Sequence, residues 1–199
     1  MKVLLILLFF SISNWASVVG ISTHPLNGNS RVLSAEMTGY MSQRNELGAG
    51  IRYSHQINQA RILDFTVGGG QESRKSHAGV GLDFELLKED VHQPRVSVKS
   101  FFQYQNFNSE SFNLIGFGPT LRKGFSVLGQ ELFPYVSTPI GIRVNNVTDE
   151  FVYFSSLTLG ASMPLPWINR DRMLLSFEGN RNLGASSDYV GFLISWIWK

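Results

Sequence analysis

Cysteine is absent from the 199 residues. That excludes disulfides, thiolate metal sites, a cysteine nucleophile and a lipid-modified N-terminal cysteine. Charge is scarce, at 16% of residues, where soluble domains carry about a quarter. Seventeen basic and 15 acidic side chains leave a net charge of +2. There is no basic stripe able to displace counterions, so nucleic acid is not an expected partner. No segment reaches the roughly 18 consecutive apolar residues of a membrane-spanning helix. The four histidines, 24, 55, 77 and 92, lack metal-ligand spacing, and neither metal nor cofactor is expected. What is plentiful is apolar and small: 43% hydrophobic residues, 15 Phe and 19 Gly. That content excludes a disordered chain.

The N-terminus reads as an address. Met1-Lys2 is a short positive start, and Val3 to Phe10 is unbroken apolar sequence that continues through Ile12. The run has the size of a secretory signal core. Cleavage after Gly20 fits the small-residue rule, with Ala16 as a second candidate. The expected organisation is a signal peptide at 1–20, a short segment at 21–30 and one domain at 31–199.

Within that domain hydrophobicity alternates with period two and shows no 3.6-residue stripe. Ten strands are predicted, near 32–41, 46–56, 61–70, 78–87, 95–106, 112–122, 133–144, 151–163, 172–180 and 188–198, with eight as the alternative count. Turn-forming residues separate them, as at 43–45, 58–59, 88–94, 145–146 and 182–187. The repeat of strand and turn predicts an up-and-down meander.

The two faces of these strands differ in kind. One carries Leu33, Met37, Ile51, Tyr53, Phe65, Val80, Phe102, Ile115, Ile142, Leu159, Phe177 and Ile194, and only Arg61 interrupts it with a permanent charge. The other carries Glu36, Arg52, Asp64, Asp83, Glu85, Lys99, Arg122, Arg143, Arg172 and Glu178, five acids against five bases. Glycines 48, 50, 68, 70, 79, 81, 116, 118, 141, 160 and 191 share that second face. Phe101, Leu114, Phe154, Leu193 and Ile197 break the pattern by falling on it.

Alternation alone does not say which face points inward. Solvent-facing sheet surfaces are rarely built of glycine, which weakens strands. Inside a narrow barrel glycine leaves room for long charged side chains, and a balanced set of charges can pair there. The strands run to about 10 residues, the length that crosses a bilayer at a tilt near 45°. The fold class expected is all-β: a closed antiparallel transmembrane barrel with the apolar face toward lipid. Pro119 and Pro139, which fall inside predicted strands, are expected at bulges or rims.

The chain ends Gly191-Phe192-Leu193-Ile194-Ser195-Trp196-Ile197-Trp198-Lys199. Glycine followed by apolar or aromatic residues at alternate positions resembles the C-terminal signal of Gram-negative outer-membrane β-barrel proteins. Gly191, Ile194, Trp196 and Trp198 carry the likeness; Lys199, after the terminal aromatic, departs from it. The resemblance implies a bacterial outer-membrane location and handling by periplasmic chaperones and the barrel-assembly machinery. Lipid and that machinery are then the expected partners of a monomer. Aromatic residues near strand ends, Tyr53, Phe102, Tyr104, Phe151, Tyr153, Trp167, Trp196 and Trp198, are candidates for rings at the lipid headgroups.

Three functions fit such a chain. The preferred one is a structural barrel, or a minor narrow pore, whose lumen charges pair with one another; about eight strands are just filled by side chains and 16–18 leave a channel. A second is an outer-leaflet lipid hydrolase, acting on lipid A or phospholipid esters, with His77, Ser73 and Glu72 in one outer loop as catalytic candidates. The third is a soluble exported ligand carrier with an apolar interior.

Overall fold

The computed structural model describes residues 30–41, 46–70, 74–107, 110–127, 129–165, 173–183 and 188–198. The expected signal peptide lies outside these residues. Twelve strands account for nearly all of them: β1 (Arg31–Met41), β2 (Glu46–Asn58), β3 (Arg61–Gly70), β4 (Arg74–Leu87), β5 (Arg95–Phe107), β6 (Glu110–Arg122), β7 (Phe125–Val127), β8 (Gln130–Ser137), β9 (Ile140–Asn145), β10 (Phe151–Pro164), β11 (Met173–Asn182) and β12 (Asp188–Trp198). Every pairing is antiparallel, and sequence neighbours are spatial neighbours from β1 to β6. β8 and β9 lie end to end between β6 and β10 as one broken stave, while β7 forms a small hairpin with β8. β12 pairs with β1 from Arg31↔Trp198 to Met41↔Asp188, and ten staves close into a barrel.

The register fixes the shape. A path along paired residues runs from Tyr40 through Tyr189, Asn180, Thr158, Ser137, Thr120, Ser97 and Glu85. It then reaches Ala60, in the turn between β3 and β2, by the Glu85 N–H to Ala60 C=O bond. One circuit therefore descends the full height of β1, a stagger of about 12 residues. Ten staves ~4.8 Å apart with that stagger tilt by about 40° around a backbone radius of about 10 Å.

Side chains sort by parity as the sequence predicts. Met37, Ile51, Val67, Ile115 and Leu159 are each between 54% and 59% exposed on the outer surface. Between them Ser34, Glu36, Thr38, Arg52, Asp64, Asp83 and Lys99 are buried inside the wall. A soluble carrier with an apolar interior is the reverse of this arrangement. In water so continuous an apolar exterior is costly, whereas in a bilayer it is required. Rings collect at both ends of the outer surface. Tyr53 and Trp198 lie 6.3 Å apart near the chain termini, and Phe151 and Tyr153 lie 6.0 Å apart at the other end; Trp167 is outside the described residues.

The prolines are a correction. Neither marks a bulge: Pro119 sits within β6 opposite Val98, and Pro139 separates β8 from β9. Thr158 still faces Ser137 and Ser155 still faces Ile140, so the register runs through the break. Thr138 N–H donates to the Pro119 carbonyl, and Ser156 N–H donates to the Pro139 carbonyl. The reciprocal bonds have no donor, because proline lacks an N–H. Each proline thus costs one ladder bond rather than a shift in register. Register shifts fall instead at Gln56/Asn58, Arg74/Ser76 and Glu85/Leu87, near strand ends. The predicted strand at 133–144 is therefore two, and it begins earlier, at Gln130.

Replacing Ile51 by Arg puts a guanidinium into the middle of the lipid-facing surface and should lower stability in vesicles by about 2–4 kcal/mol. Ile57→Arg, at the foot of the same strand, should cost far less. Equilibrium urea unfolding in phospholipid vesicles measures both; equal effects would place Ile51 outside the hydrocarbon.

Candidate functional site: the charged lumen

Among the described residues five ion pairs line the interior. Arg52 on β2 pairs with Glu36 on β1. Lys99 Nζ on β5 lies 2.5 Å from Asp64 Oδ2 on β3. Arg95, at the start of β5, donates from Nε to Glu85 Oε2 at 2.6 Å and stands 3.6 Å from Asp83 through Nη2. Arg122 Nη2 at the foot of β6 donates to Glu89 Oε2 at 2.8 Å. Glu178 on β11 is held differently, accepting from the hydroxyls of Tyr135 at 2.7 Å and Tyr189 at 3.0 Å. Charges out of reach of bulk water are tolerable only when paired in this way.

Glycine makes two of these links possible. In register, Asp64 on β3 faces Gly81 on β4, and Gly81 faces Phe101 on β5. The Lys99 side chain crosses Gly81 so closely that a Cβ there would stand 2.6 Å from Lys99 Cε. Gly160 on β10 plays the same part, with Tyr135 on one side and Glu178 on the other. The Tyr135 ring occupies the space a Cβ at Gly160 would need. Each bridge therefore spans three neighbouring staves, β3–β4–β5 in one case and β8–β10–β11 in the other.

Three of the residues that break the alternation, Phe101, Leu114 and Phe154, lie in a layer toward the end of the barrel away from the termini, whereas Leu193 faces Glu36 and Ile197 faces Val32 nearer the termini. Phe101, Phe112 and Leu114 are buried inside the barrel. Phe101 and Phe154 lie 6.2 Å apart, over Gly116 and Gly141 respectively. Arg143 on β9 sits over the Phe112 ring at 4.9 Å. Aromatic rings laid across glycine keep a glycine-rich sheet packed. Beside Lys99 a cavity of about 20 Å³, bordered by Asp64, Thr66, Gly79 and Phe101, has room for about one water.

At the opposite mouth, near the termini, two turns are clamped together. Glu89 Oε1 accepts from the Gly124 N–H at 2.5 Å while Oε2 binds Arg122. Lys123 Nζ donates to the carbonyls of Asp90, Val91 (2.9 Å) and Gln93 (3.2 Å). Partial burial pushes the Glu89 carboxyl up, but the Gly124 N–H and the Arg122 guanidinium outweigh it and hold it below the ordinary glutamate value.

Nine of the ten charges singled out in the sequence are described, and all nine sit on strands with interior parity. Glu36, Arg52, Asp64, Asp83, Lys99, Arg122 and Glu178 are buried; Glu85 and Arg143 are half-buried. Arg172 lies outside the described residues. Sequence reasoning missed Arg95, whose parity with Lys99 was the available signal, and Glu89, whose place in a turn gave none. It also missed Tyr135 and Tyr189 as partners of Glu178. Of the catalytic candidates, Glu72 and Ser73 lie outside the described residues. His77 is a wall residue of β4 rather than part of a loop, in register with Gly68 and laid over it. In β12, Gly191 faces inward while Ile194 and Trp196 face lipid, with Trp198 half-buried at the strand end.

No protein-family model matches the chain, and no curated protein matches it. Solved structures with a similar trace are membrane barrels. A de novo designed transmembrane β-barrel has a TM-score of 0.43 at 13% identity, covering 88% of this chain and 100% of its own. The N-terminal β-barrel domain of Pseudomonas aeruginosa OprF gives 0.35 at 11%, covering 86% and 98%. Ail, the attachment invasion locus protein of Yersinia pestis, gives 0.32 at 10%, covering 87% and 100%. Scores this low carry no weight, and the barrel stands on its own closure and its partition of side chains.

Removing one member of the Lys99–Asp64 pair, as in Lys99→Met, should destabilise the barrel by about 3–5 kcal/mol, since a buried charge is left alone. Gly81→Val should act through the same pair, so the double variant should cost clearly less than the two single losses added. Urea unfolding of the four proteins forms the cycle; simple additivity would mean that Gly81 does not serve Lys99.

Glu89 gives a pH prediction. Because its folded pKa is depressed, its contribution is complete above the ordinary glutamate value and disappears as pH falls through the lower, folded value. Hydrogen exchange at the Gly124 amide should accelerate, relative to neighbouring amides, over that acid window. In Glu89→Gln the acid step should vanish.

Proposed function

We propose that the chain is a small bacterial outer-membrane β-barrel protein, exported by its N-terminal signal, whose lumen is a plug rather than a channel. Its role on this reading is structural and non-enzymatic. The observation that carries it is the Lys99–Asp64 bridge across Gly81, matched by Tyr135–Glu178 across Gly160. Side chains that reach across an intervening stave thicken the inner wall and narrow the space through which a solute would pass. The Arg52–Glu36 pair and the aromatic layer at Phe101 and Phe154 add to the obstruction. A ten-stave barrel sits near the size that side chains fill unaided.

The C-terminal strand supports the cellular assignment, because Ile194 and Trp196 present the alternating outward surface expected of an assembly signal. Periplasmic chaperones and the assembly machinery are the partners on this reading, and the barrel works as a monomer in lipid. Nothing among the described residues favours the hydrolase. His77 is seated in the wall over Gly68, and Glu72 and Ser73, the acid and nucleophile expected with it, lie outside the described residues.

Purified protein folded into a planar bilayer should give no stepwise conductance. Lys99→Ala combined with Tyr135→Ala removes both crossing side chains and should produce small, ohmic openings, provided the variant still shows a heat-sensitive gel shift. Regular conductance steps from the unaltered protein would overturn the plug. Lipid A or phospholipid deacylation that is lost on replacing His77 would overturn the non-enzymatic reading.

A further inference from the structure

The lipid-facing surface is apolar over its middle, but its foot is not uniform. At the end where the termini lie, β1, β2 and β3 turn Arg31, His55 and Arg61 outward. Arg31 is in register with His55. Arg61 lies two residues before Leu63, the partner of His55. Facing residues on one sheet surface stand ~5 Å apart at Cβ and diagonal ones ~7–8 Å. The three basic side chains therefore fall within the span of one phospholipid headgroup. Arg31 and Arg61 are exposed, and among the described residues none of the three is ion-paired.

Two features give the patch a direction and a sign. Arg31 is in register with Trp198, and the Trp198 ring lies 6.3 Å from Tyr53, one step along β2 from the level of His55. Tyr and Trp rings of this kind settle at the headgroup boundary, so the cations level with Trp198 and one step beyond Tyr53 lie at the depth of the lipid phosphates. The outward positions of β1–β3 carry no acid at all: Leu33, Ala35, Met37, Leu47, Ala49, Ile51, Leu63, Phe65 and Val67 complete the face. The outward Glu131 belongs to β8, on the opposite side of the ring of staves, and Arg181 belongs to the other end of the wall.

We propose that Arg31, His55 and Arg61 form a binding site for an anionic phospholipid in the leaflet at the terminal end of the barrel. Two guanidinium forks and an imidazole N–H suit a phosphate. A zwitterionic headgroup answers this patch with a net charge of zero, whereas an anionic one leaves a net negative charge to be met. The site rests on the reading of the barrel as membrane-spanning, and the experiment separates the two.

The tryptophans beside the patch supply the signal. The protein is folded into phosphatidylcholine vesicles in which an increasing share of lipid is brominated phosphatidylglycerol, and then into matched vesicles with brominated phosphatidylcholine. Fluorescence quenching should show phosphatidylglycerol enriched at the protein by about fivefold over its mole fraction. Arg31→Gln with Arg61→Gln should reduce that enrichment to near unity, while Arg181→Gln leaves it unchanged. Soluble glycerol phosphate should not compete, since the site holds its lipid by chain and headgroup together. Enrichment of unity in the unaltered protein, or enrichment that survives the double replacement, overturns the site. So does loss of enrichment on adding glycerol phosphate, which would mark a free-phosphate site. A heat-sensitive gel shift in phosphatidylcholine alone reports the membrane barrel independently, and its absence overturns the site together with that reading.

Discussion

Hydrocarbon offers no hydrogen bonds, and most of this structure follows from that. A sheet placed in a bilayer must pair every backbone N–H and C=O with itself, which forces closure. Here closure is made by β12 against β1, with ten staves and a stagger of about 12 residues. Once the sheet is closed its two faces meet different solvents. The outer face takes Met37, Ile51, Ile115 and Leu159, and the inner takes the charges. The buried cations Arg52, Arg95, Lys99 and Arg122 each meet a carboxylate there.

Pairing across a curved wall is a problem of reach, and glycine solves it. Lys99 meets Asp64 only because Gly81 stands between them without a side chain, and Tyr135 meets Glu178 only across Gly160. These links tie staves that are not neighbours, which locks register more firmly than backbone bonds between adjacent strands alone. The same economy operates where the backbone ladder is weakest. Pro119 and Pro139 each remove a bond within the same stretch of wall. There the Thr120 hydroxyl donates to Ser137 Oγ at 3.0 Å, and the Ser137 hydroxyl in turn donates to the Pro119 carbonyl at 2.9 Å. The Tyr135–Glu178 bridge lies four residues from Pro139 and adds a second stitch over the break.

Much of the fold was legible because period-two alternation is a direct record of which solvent each face meets. Glu36, Arg52, Asp64 and Lys99 could be assigned to one surface without knowing the partner of any. The glycines on that surface told the inside from the outside, since glycine beside long charges makes sense only where space is short. Partner choice was not legible. Lys99 and Asp64 are joined by the stagger of the whole barrel and by the vacancy at Gly81, and neither is a local property of sequence. Arg95 opens its strand, where parity is easily overlooked, and Glu89 lies in a turn, where parity has no meaning. The break at Pro139 could not be told from a bulge, because only the register of both neighbours shows that no residue is inserted. His77 was misplaced for a simpler reason: β4 begins at Arg74, four residues before its apolar alternation starts at Ala78.

The central claim is that the apolar face touches lipid while the ionic face is enclosed. The absence of cysteine allows it to be measured without background. Single cysteines placed in turn at Ala49, Gly50, Ile51, Arg52 and Tyr53 and spin-labelled in vesicles report collision with oxygen, which concentrates in lipid, and with a water-soluble nickel chelate. Oxygen accessibility should peak at positions 49, 51 and 53 and fall at 50 and 52, with low nickel accessibility throughout. Nickel accessibility peaking at 49, 51 and 53, or no alternation at all, would contradict the account.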